Sequence, residues 1–148
     1  MKCYFYGVMG AHTSVCNNIN YTNTSCVYIE TETAHLFFDA GTGLLNFKQN
    51  RPLSNKPIFI FLSHFHYDHL LGLLFFPPLI SGTHSIYFVH PFPKKTESLI
   101  KKLFSPDFFP LSFSTFTIPP LFISPAECAN FSLFVDFLEL SHPGKSYA

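Results

Sequence analysis

Ser63-His64-Phe65-His66-Tyr67-Asp68-His69 follows directly on the apolar run 57–62, and no other stretch constrains the chain as tightly. Three imidazoles and a carboxylate fall within six positions. Two histidines at i and i+2 in extended backbone point to the same side, so both can reach one ion at the usual Zn–N distance of roughly 2.0–2.1 Å. Asp68 and His69 follow where the chain turns, and they address a neighbouring position. Two ions about 3.5–4 Å apart can share a hydroxide and clamp a phosphoryl oxygen, so the spacing points to metal-assisted hydrolysis. A lone histidine on an apolar face is usually a core residue; four potential ligands in six positions after a buried strand are not explained that way.

The surroundings of the motif read as an α/β domain. Residues 2–8 and 25–30 are strand-like, and 35–39 pairs with the latter as a hairpin. Residues 9–21 read as a loop, 44–47 as a short helix, and 51–57 as a connection with two prolines. The continuous apolar run 58–62 is a buried strand whose C-terminal end carries the motif, where open α/β sheets place their sites. Residues 68–76 read as a short helix stopped by Pro77-Pro78. Residues 86–90 form another buried strand, and 96–104 has helical spacing with Leu99, Ile100, Leu103 and Phe104 on one face. Residues 106–125 read as a packed irregular loop with short strands, and 131–140 alternates as a final strand. At 148 residues there is room for one domain, 1–148, with no second boundary and no repeat.

Charged residues make up 12% of the chain, against roughly 25% in a typical soluble domain. Either some apolar surface is covered from outside the chain or the composition is biased. Net charge is zero, so no basic field attracts nucleic acid nonspecifically. Lys94-Lys95 and Lys101-Lys102 read as the solvated face of a helix. Cys3, Cys16, Cys26 and Cys128 form no C-x-x-C pair, which signals neither a zinc knuckle nor a redox dithiol. The N-terminus does not read as a secretory signal, and no apolar stretch reaches the roughly 20 residues of a membrane span. The expectation is a cytoplasmic, reduced protein with no membrane partner.

His64-Phe65-His66-Tyr67-Asp68-His69 resembles the H-x-H-x-D-H motif of the metallo-β-lactamase-fold hydrolases. Gly7-Val8-Met9-Gly10, Asn23-Thr24-Ser25-Cys26-Val27 and Phe38-Asp39-Ala40-Gly41-Thr42-Gly43-Leu44 resemble successive landmarks of its phosphodiesterase and ribonuclease Z-like branch. Residues 70–79 and Phe108-Phe109-Pro110 do so as well. The resemblance implies an αββα sandwich with the site at one edge between two sheets. It implies that Asp39 orients the motif loop from behind the ligands. Leu140-Ser141-His142-Pro143-Gly144 is similar to the family's third metal motif, so His142 would complete a three-histidine site with His64 and His66. Asp68 and His69 would begin the second site, with Asp68 also orienting the attacking hydroxide. His12 falls in a loop that passes the active site in such proteins, although a surface role suits it better; His35, His84 and His90 receive no role.

The family takes two further ligands, a bridging aspartate and a late histidine, after its third motif. Asp107 and Asp136 both precede His142 and match neither. The chain is therefore expected to hold the first half of the fold and the start of the second, incomplete at its C-terminus. Two zinc ions are expected for the family and one for this chain, with Mn²⁺ an alternative. The implied activity is hydrolysis of a small phosphodiester. The alternatives are an inactive fragment binding at most one zinc and a tRNA 3′-processing endonuclease of the ribonuclease Z type, whose basic surface the zero net charge argues against. A homo-oligomer or a complementing C-terminal polypeptide would be the protein partner.

Overall fold

The computed structural model describes residues 1–10, 23–47 and 53–148. Most of the loop read at 9–21, with His12 and Cys16, and the start of the 51–57 connection lie outside these residues. Six strands form one mixed sheet in chain order: β1 (Lys2–Gly7), β2 (Cys26–Glu30), β3 (His35–Phe38), β4 (Ile58–Phe61), β5 (Ile86–Val89) and β6 (Leu121–Ile123). The first three form an antiparallel meander, and β3 to β6 run parallel. This is the layered α/β arrangement expected from the sequence.

The apolar run in β4 has no polar side because the sheet is covered on both faces there. Ile58 and Ile60 join Phe37, Phe88, Leu73, Phe76, Ile100 and Phe104 in the larger core. Phe59 and Phe61 point the other way, into a smaller cluster with Val89, Ile123 and Cys128. All four β4 residues are buried. The larger core lies under two helices, α1 (Pro77–Ser81) and α2 (Pro93–Leu103). In α2, Thr96, Ile100 and Leu103 are buried while Lys94, Lys95, Lys101 and Lys102 are exposed, as the spacing predicts. Lys101 and Lys102 close its last turn, where cations complement the helix dipole. No helix among the described residues is long and apolar enough to cross a membrane.

Three local expectations are corrected. Residues 68–76 form two 3₁₀ turns, Tyr67–His69 and Leu71–Phe75, rather than one helix. Pro77-Pro78 does not stop a helix but opens α1, because proline lacks only an amide that the first turn leaves unpaired anyway. Residues 131–140 are not a strand: only β7 (Glu139–Leu140) is, paired with β8 (Ser146–Tyr147). The alternation there is nonetheless expressed. Phe131, Leu133, Val135 and Phe137 pack on the smaller cluster, while Phe134 and Leu138 face out. The segment crosses a sheet face rather than joining an edge, so period-two burial sorts its side chains without a hydrogen-bonded ladder.

The strand ends and the hairpin bring the candidate residues together. Asp39 follows β3 and His64 follows β4 on the next strand, at the same end of the sheet. The hairpin returns to that end, where the Tyr147 amide donates to the Ser63 carbonyl at 3.0 Å. The left-handed φ of +87° at Gly144 favours glycine in its turn. Gly41 sits against the Asp68 carbonyl, where a Cβ would collide, so glycine there lets the β3 loop touch the motif.

Candidate metal centre

His64 Nε2 and His66 Nδ1 stand 3.1 Å apart, and His142 Nε2 lies 3.4 Å from the same His66 nitrogen. One ring nitrogen from each of His64, His66 and His142 falls within 4.8 Å of the other two. A tetrahedral zinc with Zn–N of about 2.0–2.1 Å places its nitrogens roughly 3.3 Å apart, a spacing that the His64–His66 and His66–His142 pairs match. His66 is extended (φ −68°, ψ 148°), and at i and i+2 the His64 and His66 rings stand on the same side, 4.5 Å apart between centroids. His142 joins from 76 residues away through the β7–β8 turn.

Asp68 and His69 form the adjoining pair, with His69 Nε2 3.3 Å from Asp68 Oδ2. The His64 and His69 rings are 4.0 Å apart between centroids. Among the described residues the three-histidine group gathers without a carboxylate, and Asp68 with His69 stands beside it.

Behind these rings lies Asp39, 7% exposed, in the left-handed region with φ 59°. Its carboxylate accepts from the Ser63 amide at 2.8 Å, from Ser63 Oγ at 2.9 Å, from Ser25 Oγ at 3.2 Å and from His69 Nδ1 at 2.7 Å. Its own amide donates to the Phe61 carbonyl and the Ala40 amide to the His69 carbonyl, so the loop after β3 is stitched to the end of β4 and to the far end of the motif. These contacts tie the Asp39 carboxylate to Ser25, Ser63 and His69.

Burial, then the neighbouring His69 and His66, push His64 down to about 4, leaving it a neutral ring at pH 7. Metal binding requires that neutral form. Burial also acts against the charged form of His69, but the Asp39 hydrogen bond and the Asp39 and Asp68 charges outweigh it and raise its pKa.

Two residues beside this cluster carry no metal-motif signal of their own. Ser63 Oγ lies 2.9 Å from His64 Nδ1, and its position just before the motif was the only local signal. His90, at the end of β5, is 1% exposed and sits against the Phe65 ring of the motif loop at 4.7 Å. The Phe92 amide donates to its Nδ1, and burial first and Lys95 second hold it down to about 4. His12 lies outside the described residues.

The profile of the Metallo-beta-lactamase superfamily matches residues 19–117. The crystal structure of human tRNase Z, short form, is similar to this chain with a TM-score of 0.59 at 18% identity, covering 99% of this chain and 63% of that one. At that identity the likeness shows the fold alone. The chain spans less than two thirds of the length of that structure. No curated protein matches it.

Proposed function

The chain belongs to the metallo-beta-lactamase superfamily, and from that premise we propose that it carries the metal-binding part of a metal-dependent phosphodiester hydrolase. The observation that carries the reading is the convergence of His64, His66 and His142, whose ring nitrogens lie within 4.8 Å of one another, beside the Asp68–His69 pair. His64, His66 and His142 would hold one zinc ion, and Asp68 and His69 would begin a second site. A bound zinc supplies an acidified water near neutral pH and Lewis acidity toward a phosphoryl oxygen. The Asp68 carboxylate, an acceptor beside the cluster, would orient the attacking water by taking a hydrogen bond from it. Asp39 holds His69 from the far side and leaves Nε2 as the nitrogen turned toward Asp68.

A one-zinc reading is favoured by a specific feature. Among the described residues only one group of three ligands closes, and Asp68–His69 gains no third member. On that reading the chain alone binds one zinc, and a complementing polypeptide would supply the rest of the second site. A small phosphodiester suits the zero net charge better than a polyanion such as tRNA, which the name of the tRNase Z structure brings forward as the competing substrate.

The test is hydrolysis of bis-(p-nitrophenyl) phosphate with Zn²⁺ or Mn²⁺, alongside zinc stoichiometry by equilibrium dialysis. Metal-dependent hydrolysis lost in His66→Ala supports the enzyme. One tightly held zinc without hydrolysis supports the one-zinc reading. Absence of zinc binding, or hydrolysis indifferent to chelation and to His66→Ala, overturns both.

A further inference from the structure

We propose that Ser63 is a positioning residue that carries the hold of Asp39 to His64, so that one carboxylate sets the ring tautomers at both metal positions. The inference rests on the metal reading above and concerns a residue to which that reading gives no task.

Proton bookkeeping carries the argument. An ionised carboxylate only accepts hydrogen bonds, whereas a serine hydroxyl has one proton to give and lone pairs to receive. Ser63 Oγ lies 2.9 Å from each Asp39 oxygen, and so its single proton is directed at the carboxylate. The Ser63 amide donates to the same carboxylate at 2.8 Å and locks the hydroxyl's position. What Ser63 Oγ then offers His64 Nδ1, 2.9 Å away, is a lone pair. Nδ1 must therefore carry the hydrogen, and Nε2 keeps the free lone pair. That Nε2 is the atom standing 3.1 Å from His66 Nδ1 in the three-histidine group.

The same carboxylate reaches His69 without an intermediary. His69 Nδ1 is 2.7 Å from Asp39 Oδ2 and donates to it, which leaves Nε2 facing Asp68. Asp39 thus acts directly on a ligand of the second position and, through one hydroxyl, on a ligand of the first. Ser146 Oγ, from β8, also approaches His64 Nδ1, but at 3.5 Å it is a weaker second acceptor. An orienting partner of this kind fixes which nitrogen a histidine presents, and its loss typically costs about 10–100-fold in metal affinity.

The experiment compares the full chain with Ser63→Ala, Ser63→Thr and Ser63→Cys. Long-range ¹H–¹⁵N spectra of the zinc-free protein report the His64 tautomer. Competition with a chromophoric chelator reports zinc affinity. The expected result is an Nδ1–H tautomer at His64 in the parent chain and in Ser63→Thr. Ser63→Ala should show mixed tautomers and about 10–100-fold weaker zinc binding, with Ser63→Cys between the two. A role confined to stability would lower the melting temperature of Ser63→Ala without altering tautomer or affinity, and that result overturns the inference. So does an Nε2–H tautomer in the parent chain. If Ser63→Ala does not fold, Ser63→Cys makes the same comparison, because it keeps the side-chain shape and weakens the acceptor. A parent chain that binds no zinc refutes the metal reading, while the tautomer spectra still decide whether Ser63 orients His64.

Discussion

Replacing Asp39 by alanine tests how the two ends of the motif are held. The carboxylate is buried and takes hydrogen bonds from the Ser63 amide, the Ser63 hydroxyl, His69 Nδ1 and the Ser25 hydroxyl. Ser25 is partly exposed and can turn to water. The other three donors cannot all do so, and each unmade buried bond costs about 1 kcal/mol or more. Asp39 also holds a left-handed φ of 59°, where alanine adds about 1 kcal/mol. The sum is about 4 kcal/mol, a large share of the 5–15 kcal/mol that typically holds a domain together. Asparagine tolerates the backbone and keeps an oxygen for Ser63, but its amide nitrogen cannot accept from His69, so Asp39→Asn should lose about half as much. Urea unfolding of the zinc-free chain at pH 7.5 measures both. Asp39→Ala within 1 kcal/mol of the parent, or Asp39→Asn as damaging as Asp39→Ala, would show that the carboxylate does not organise the loop.

Three further outcomes are expected. His142→Ala should abolish tight zinc binding in equilibrium dialysis while leaving urea stability within about 0.5 kcal/mol, since the residue is an exposed side chain in a surface hairpin. Gly144→Ala, at φ +87°, should reduce zinc affinity several-fold by displacing His142, seen as a shifted chelator competition curve. Acidification should destabilise the fold through His90, which is held down to about 4 from 6.5. Between those values the unfolded chain binds the extra proton, so stability present above about pH 6.5 is lost as pH falls toward 4, by up to about 3 kcal/mol. His64 titrates in the same window, so the His90 share is the difference in urea midpoint between the parent and His90→Phe across that range.

Phe5, Phe134 and Leu138 stand exposed at the surface of this low-charge chain. The helical face of α2 and the doubly buried β4 were legible because period and run length report which sides of an element meet apolar neighbours. Pro77-Pro78 was not legible as a helix start because a proline pair is compatible with either end of a helix, and only the chain before it tells which. Over residues 131–140 alternation reports two-sided burial, whereas a strand also needs an edge to bond to.

By itself the sequence determined the local geometry of the His64–His66 and Asp68–His69 pairs. His64 and His66 need only an extended backbone to face one ion, and Asp68 and His69 need only the turn that follows. Those are local geometries, set within a few residues by bond rotations that the motif carries with it. Tertiary structure decided the rest. His142 reaches His66 across 76 residues because β8 hydrogen-bonds to Ser63. Asp39 meets Ser63 and His69 because β3 and β4 are parallel neighbours ending at the same level. Ligand identity is a property of side-chain chemistry and short spacing, but which nitrogen each ring presents depends on donors and acceptors brought from distant strands, and no local pattern encodes that.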